Sequence, residues 1–82
     1  MSSFYLKIQT PEKEVFSGKV NYLVADAKDG KVEILPNHAS FATILKSGKI
    51  RYQLEAGEEV TKDSAEGFLT VNKNLATVLL KK

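Results

Sequence analysis

Residues 67–80 read GFLTVNKNLATVLL, and this stretch decides the fold class. Its two halves, Phe68–Val71 and Leu75–Leu80, are rich in apolar and β-branched residues, which favour strands over helices. The polar run Asn72–Asn74 between them is typical of a turn. Because Leu75–Leu80 is apolar on both faces, we expect this last strand to be central in its sheet or covered by something else.

The same strand pattern recurs along the rest of the chain. In Phe4–Gln9 apolar residues alternate with mostly polar ones, as in a strand with one buried face, and Pro11 ends the pattern because it has no N–H to donate to a sheet. Further strands are predicted at Val15-Phe16, Val20–Ala25, Lys31–Leu35, Phe41–Leu45, Lys49–Leu54 and Glu59–Asp63. Turn signals separate them at Ser17-Gly18, Asp29-Gly30, Asn37–Ser40, Ser47-Gly48 and Ala56-Gly57. Turns spaced about 8–12 residues apart predict an all-β, two-layer sandwich of about nine or ten short, mainly antiparallel strands.

Length and composition indicate one domain, residues 1–82, with no linker and no internal repeat. The content of 43% hydrophobic and 27% charged residues is that of an ordinary globular protein. The chain has no window of ~18 apolar residues, which a helix needs in order to span a bilayer. The N-terminus carries no export or import signal. A cytoplasmic location is therefore the expectation. The absence of cysteine excludes disulfides and thiol chemistry.

The charge distribution argues against nucleic-acid binding. Twelve basic residues against ten acidic ones give a formal net charge of +2. The lysines are spread along the chain, and interleaved acidic residues would repel a phosphate backbone.

Nothing in the sequence indicates catalysis, a bound cofactor or a metal site. His38 is the only imidazole in the chain, and Ser40 lies too close to it in sequence to form a recognisable nucleophile–base pair. Asp26, Asp29 and Glu33 do not follow the ligand spacing of a calcium loop. No Gly-rich phosphate-binding motif is present. We expect a protein that acts by binding partners.

One lysine suggests an alternative function. Lys28 lies in the predicted hairpin tip Ala25–Gly30, which is similar to the modified turn of lipoyl and biotinyl carrier domains. The flanking residues and the rest of the chain differ from those domains. A carrier domain modified on Lys28 is nevertheless kept as the second hypothesis.

Four segments together point to a family: FSG at 16–18, GKVEILPNHA at 30–39, KSGKIR at 46–51, and GFLTV at 67–71 with its continuation to Leu79. In this order and spacing the chain resembles the N-terminal β-sandwich of the epsilon subunit of F-type ATP synthases. Four positions depart from the usual family pattern: Glu33, Asn37, Ser40 and Glu66. Asn37 can keep a turn that usually has glycine, because Asn tolerates positive φ.

The resemblance implies a non-catalytic rotor subunit that grips the gamma subunit and rests on the c-ring. It would couple proton- or sodium-driven rotation to ATP synthesis at the cytoplasmic face of the bacterial inner membrane. It implies a c-ring contact at Asp29, Gly30 and Lys31, and a gamma-subunit contact at Thr10, His38 and Thr43. Family members usually continue into an inhibitory helical hairpin. Since the sequence ends at Lys82, we carry no inhibitory function over to it.

Overall fold

The computed structural model describes residues 2–82 and contains strands but no helix in that range. The seven strands are β1 (Phe4–Gln9), β2 (Glu14–Ala27), β3 (Gly30–Ile34), β4 (Phe41–Leu54), β5 (Glu59–Ser64), β6 (Gly67–Asn72) and β7 (Leu75–Leu80). They form one continuous sheet in the order β3-β2-β1-β7-β6-β4-β5, which closes through a further pairing of β2 with β4. The predicted all-β sandwich is confirmed.

Two long strands divide the sheet into two layers. The first part of β2 pairs with β1, whereas its last residues, 23–27, pair with β3. Strand β4 likewise pairs with β6 through residues 41–45 and with β5 through residues 48–53. We call the layer of β1, β7, β6 and the first parts of β2 and β4 sheet I. The layer of β3, β5 and the last parts of β2 and β4 is sheet II.

The prediction of nine or ten strands was wrong, because two predicted turns lie inside strands. Ser17 and Gly18 pair with β1 within β2, and Ser47 and Gly48 lie within β4. Small residues are typical of turns, but they also occur where a strand bends or another backbone group approaches closely. The short predicted strand Val15-Phe16 is therefore the beginning of β2. The prediction of mainly antiparallel pairing is confirmed, with β1–β7 as the parallel pair among the described strands.

The remaining turns follow the turn chemistry of the sequence. Lys73 and Asn74 both have positive φ, at 51° and 61°, as a two-residue hairpin loop of type I′ requires. Asn37 has φ 66°, so it keeps the turn as expected. The β2–β3 turn is shifted by one residue from the prediction: Lys28 and Asp29 form the loop, and Gly30, with φ 125°, already pairs with Ala27.

The core lies between the two layers and consists of alternate residues from both. Leu6, Leu69 and Val78 contribute from sheet I, and Leu23 and Tyr52 from sheet II; each is at most 1% exposed. The Tyr52 ring packs on Phe16 with their centroids 4.6 Å apart. Among the described residues no polar or charged side chain other than Tyr52 is fully buried. The core therefore stabilises the fold by apolar burial and leaves the outer faces free for contacts.

Candidate docking surface

The outer face of sheet I carries a row of exposed apolar side chains. Residues alternate between the two faces of a strand, and directly paired residues share a face. Ile44 of β4 pairs with Phe68 of β6, which pairs with Leu79 of β7. Their exposed fractions are 48%, 56% and 47%. We call these three residues the apolar row.

A second apolar pair lies at the other end of the same face. Tyr5 of β1 pairs with Leu75 of β7, and both side chains are exposed. The Tyr5 hydroxyl is 2.9 Å from Ser17 Oγ. The apolar row and this pair, which we together call the outer apolar face, contain five of the six large hydrophobic residues found exposed in residues 2–82; the sixth is Leu35. Such a concentration on one face of a sheet is typical of an interaction surface.

Strand β7 explains why this face is apolar. Its core-facing residues Ala76 and Val78 are fully buried, whereas Leu75 and Leu79 face outward. The strand is central in the sheet, between β1 and β6. The expectation of a central strand is therefore confirmed, and within residues 2–82 no element covers its outer face.

Charged groups surround the apolar row at one end. A shallow cavity of about 350 Å³ lies beside Ile44 and Phe68, and Lys28, Lys46 and Lys81 line its rim. Lys81 Nζ pairs with Glu66 Oε1 at 3.0 Å. An apolar centre with a charged rim is the usual anatomy of a protein–protein interface.

The residues predicted to contact the c-ring form the tip of the β2–β3 hairpin. Asp29, Gly30 and Lys31 are all exposed. Lys31 Nζ is 2.8 Å from the Asp26 carboxylate on the neighbouring strand. This ion pair, which the sequence pattern does not indicate, holds Lys31 toward its own sheet.

Asp26 is also bonded to β4. Its Oδ2 accepts a hydrogen bond from the backbone N–H of Lys49 at 3.0 Å. Lys31 and this N–H lower the pKa of the Asp26 carboxyl, against a smaller opposing effect of burial. Lys49 Nζ in turn pairs with Asp63 on β5 at 2.5 Å, which lowers the pKa of Asp63 and raises that of Lys49.

The residues predicted to contact the gamma subunit are dispersed over sheet I. Thr10 follows β1 and forms a turn in which its Oγ1 accepts a hydrogen bond from the Lys13 N–H at 3.2 Å. His38 precedes β4 at the opposite end of the sheet; its Nδ1 donates to Ala39 O at 2.8 Å, and its ring packs edge-on against Phe41. Thr43 is half-buried and pairs with Leu69, on the core-facing side of β4. One partner would have to extend along the whole sheet to reach all three.

The alternative site at Lys28 is exposed at the hairpin loop. The Lys28 N–H donates to the carbonyl of Ile44 at 2.9 Å, which ties the loop to β4. Within residues 2–82, no three His, Cys, Asp or Glu side chains are grouped so as to hold a metal ion. The same residues contain no helix that could span a membrane.

Comparisons with known proteins agree on one family. The family model of the ATP synthase delta/epsilon chain β-sandwich domain matches residues 3–82. The "ATP synthase epsilon chain" of Chlorobaculum tepidum is 40% identical over 77 residues, which cover 94% of this chain and 88% of that one. The protein of the same name from Brevibacillus brevis is 33% identical over 79 residues, and that from Pelotomaculum thermopropionicum 42% over 74. In these two the match covers 96% and 90% of this chain, but only 60% and 54% of the relative.

Solved structures show the same fold at low sequence identity. A chain of the Euglena gracilis mitochondrial ATP synthase superposes with a TM-score of 0.92 at 15% identity, over all of this chain and 52% of that chain. A chain of the central stalk and c-ring of the Tetrahymena thermophila enzyme gives a TM-score of 0.80 at 17% identity, over 95% of this chain and 63% of that chain.

Proposed function

Because the chain belongs to the β-sandwich family of the ATP synthase delta/epsilon chain, we propose that it is a rotor part of the central stalk in an F-type ATP synthase. In this role it holds the gamma subunit and rests on the c-ring, so that rotation of the ring turns the stalk. It does no chemistry itself. The proton or sodium gradient drives the ring, and ATP is made elsewhere in the complex.

The observation that carries this proposal is the outer apolar face. A domain that acted alone would gain solubility from polar residues at Ile44, Phe68 and Leu79, where three strands instead present apolar side chains to solvent. A permanent partner that covers this face would remove the side chains from water and stabilise the complex. We assign the face to the gamma subunit.

The tip of the β2–β3 hairpin is suited to the second contact, with the c-ring. Asp29 and Lys31 present opposite charges on an exposed turn, and polar turns of this kind supply contacts that set register more than affinity. We assign the tip to the polar loops of the c-ring. The chain would then lie at the cytoplasmic face of a bacterial inner membrane as a peripheral component, held there by the c-ring.

The test is recovery of the chain together with its partners. A tagged chain is expressed in the source organism, membranes are solubilised, and bound subunits are identified by mass spectrometry. We expect gamma and c subunits in stoichiometric amounts and no added mass on Lys28. A lipoyl or biotinyl mass on Lys28, with no ATP-synthase subunit bound, would establish the carrier function instead.

A further inference from the structure

The two carboxylate oxygens of Asp26 bind two different strands. Oδ1 accepts from Lys31 Nζ at 2.8 Å on β3, and Oδ2 accepts from the backbone N–H of Lys49 at 3.0 Å on β4. The Asp26 side chain is only 19% exposed, against 72% for Lys31. Hydrogen bonds to an ionised acceptor are about twice as strong as neutral ones. Asp26 therefore joins three strands of sheet II through one side chain.

A register shift in β2 and a glycine in β4 make room for this arrangement. The pairing of β2 with β4 shifts register between Ala25 and Ala27, around Asp26 itself. At Gly48, a Cβ atom would lie 2.4 Å from Asp26 Oδ2, so only glycine leaves space for the carboxylate. A β-bulge re-aims a strand and is often found beside a functional position.

The bonds of Asp26 connect the hairpin tip to β4. Strand β3 is an edge strand of five residues, and among the described strands it pairs with β2 alone. The Lys28 N–H is bonded to Ile44 O on β4, on the other side of the loop. Residues 28–31 are thus held to β4 from both ends, by the Lys28 N–H and by the Asp26–Lys31 pair.

We propose that Asp26 is a positioning residue that fixes the direction of the hairpin tip, residues 28–31, against the bend of β4. A tip that transmits torque must not swing relative to the sandwich, and a carboxylate bonded to both β3 and β4 resists this motion. The consequence for the c-ring rests on the proposed function. The positioning itself is a property of the chain alone, so the two are tested separately.

The first experiment measures amide hydrogen exchange by NMR in the 82-residue chain, comparing wild type with Asp26→Ala and Asp26→Asn. Opening of the tip is read from the Lys28 amide, and global opening from the Leu69 amide. We expect Asp26→Ala to accelerate exchange at Lys28 by about tenfold or more relative to Leu69. Asp26→Asn keeps an acceptor for the Lys49 N–H and should have a smaller effect. The matched control is Asp63→Asn, which removes a paired carboxylate from the same face without touching the tip.

The second experiment measures retention of the same variants on membranes that contain the c-ring. We expect Asp26→Ala to be retained several-fold less than wild type, and Asp63→Asn to be retained like wild type. Unchanged exchange at Lys28 in Asp26→Ala would overturn the positioning role. Faster exchange combined with full retention would support the positioning but overturn its consequence for the c-ring contact. If wild type itself is not retained, the c-ring assignment fails, and the exchange data alone then decide whether Asp26 fixes the tip.

Discussion

The carboxylate of Asp26 and the backbone N–H of Lys49 are joined by a 3.0 Å hydrogen bond across 23 residues of sequence. The bond lies where β4 leaves the strand β6 of sheet I and continues beside β5 in sheet II. It therefore connects the corner of the sandwich to the hairpin that we assign to the c-ring. Lowering the pH, filling the space beside Gly48 and reversing the charge of Lys31 should each affect this part of the molecule.

Low pH should weaken the hydrogen bonds that the Asp26 carboxylate makes at this corner of the sandwich, and so lower the stability of the fold. The pKa of Asp26 is lowered from its ordinary value of 3.8, chiefly by the hydrogen bond from Lys31 and then by that from the Lys49 N–H. Because the folded-state pKa is the lower one, the contribution of the carboxylate is complete above about pH 4 and is lost as the pH falls through the folded-state value. Urea unfolding followed from pH 6 to pH 2.5 should show a steeper loss of stability in wild type than in Asp26→Asn. Both proteins keep Asp63, so the difference between them isolates Asp26. Parallel curves would contradict this account.

Gly48→Ala should destabilise the fold by about 1–3 kcal/mol, because the added methyl group meets the Asp26 carboxylate. The cost should fall when Asp26→Ala is made in the same chain, since the two changes act on one contact. Denaturant unfolding of the four proteins in this double-mutant cycle measures the coupling. Additive free energies would show that the space beside Gly48 is not set by Asp26.

Leu69 and Leu79 lie on opposite faces of sheet I, so replacing each by alanine should affect stability and partner binding differently. Leu69 is fully buried, and Leu69→Ala should cost about 2–5 kcal/mol of unfolding free energy. Leu79 is 47% exposed, and Leu79→Ala should cost less than about 1 kcal/mol. The same Leu79 variant should nevertheless bind the gamma subunit more weakly than wild type. A large loss of stability in Leu79→Ala would mean that its side chain belongs to the core rather than to an interface.

Charge reversal at the tip should weaken the contact with the c-ring. Lys31→Glu inverts the charge and also places a carboxylate opposite Asp26, so the tip should both repel its partner and lose its fixed direction. Lys31→Met removes the charge without adding repulsion and serves as the control. In sedimentation with c-ring membranes we expect a moderate loss for Lys31→Glu, reduced at high salt, and a smaller one for Lys31→Met. Full retention of both variants would exclude the tip as the contact.

The sequence predicted the fold class and several turns because these depend on local patterns. In Phe4–Gln9 the predicted alternation is seen in the structure, where buried side chains alternate with more exposed ones. In the predicted turn before Leu75, Asn74 occupies a positive-φ position. The apolar character of both faces of Leu75–Leu80 correctly indicated a central strand. The outer apolar face could in part have been found from the same signal, because Phe68 and Leu79 are apolar at outward-facing positions.

The strand boundaries at Ser17-Gly18 and Ser47-Gly48 could not be predicted locally. Whether a Ser-Gly pair turns the chain or lies within a bent strand depends on partners far away in sequence, here Leu6 and Asp26. The ion pair between Asp26 and Lys31 was missed for a related reason, because their opposition depends on the register of the β2–β3 hairpin. The gamma and c-ring contacts remain predictions, since they depend on a second molecule.

The central claim is that the outer apolar face binds the gamma subunit, and the most direct test is calorimetric titration of purified gamma subunit with the chain and two variants. Phe68→Ser removes the most exposed side chain of the apolar row. Tyr22 of β2 pairs with Gln53 of β4 in sheet II and is half-buried. Tyr22→Ser removes an aromatic side chain outside the outer apolar face and is the control, with folding of both variants checked by thermal unfolding. We predict that Phe68→Ser weakens binding at least about fivefold, as loss of an interface anchor does, while Tyr22→Ser binds like wild type. Equal affinity of Phe68→Ser and wild type, or no binding of the wild-type chain at all, would contradict the claim.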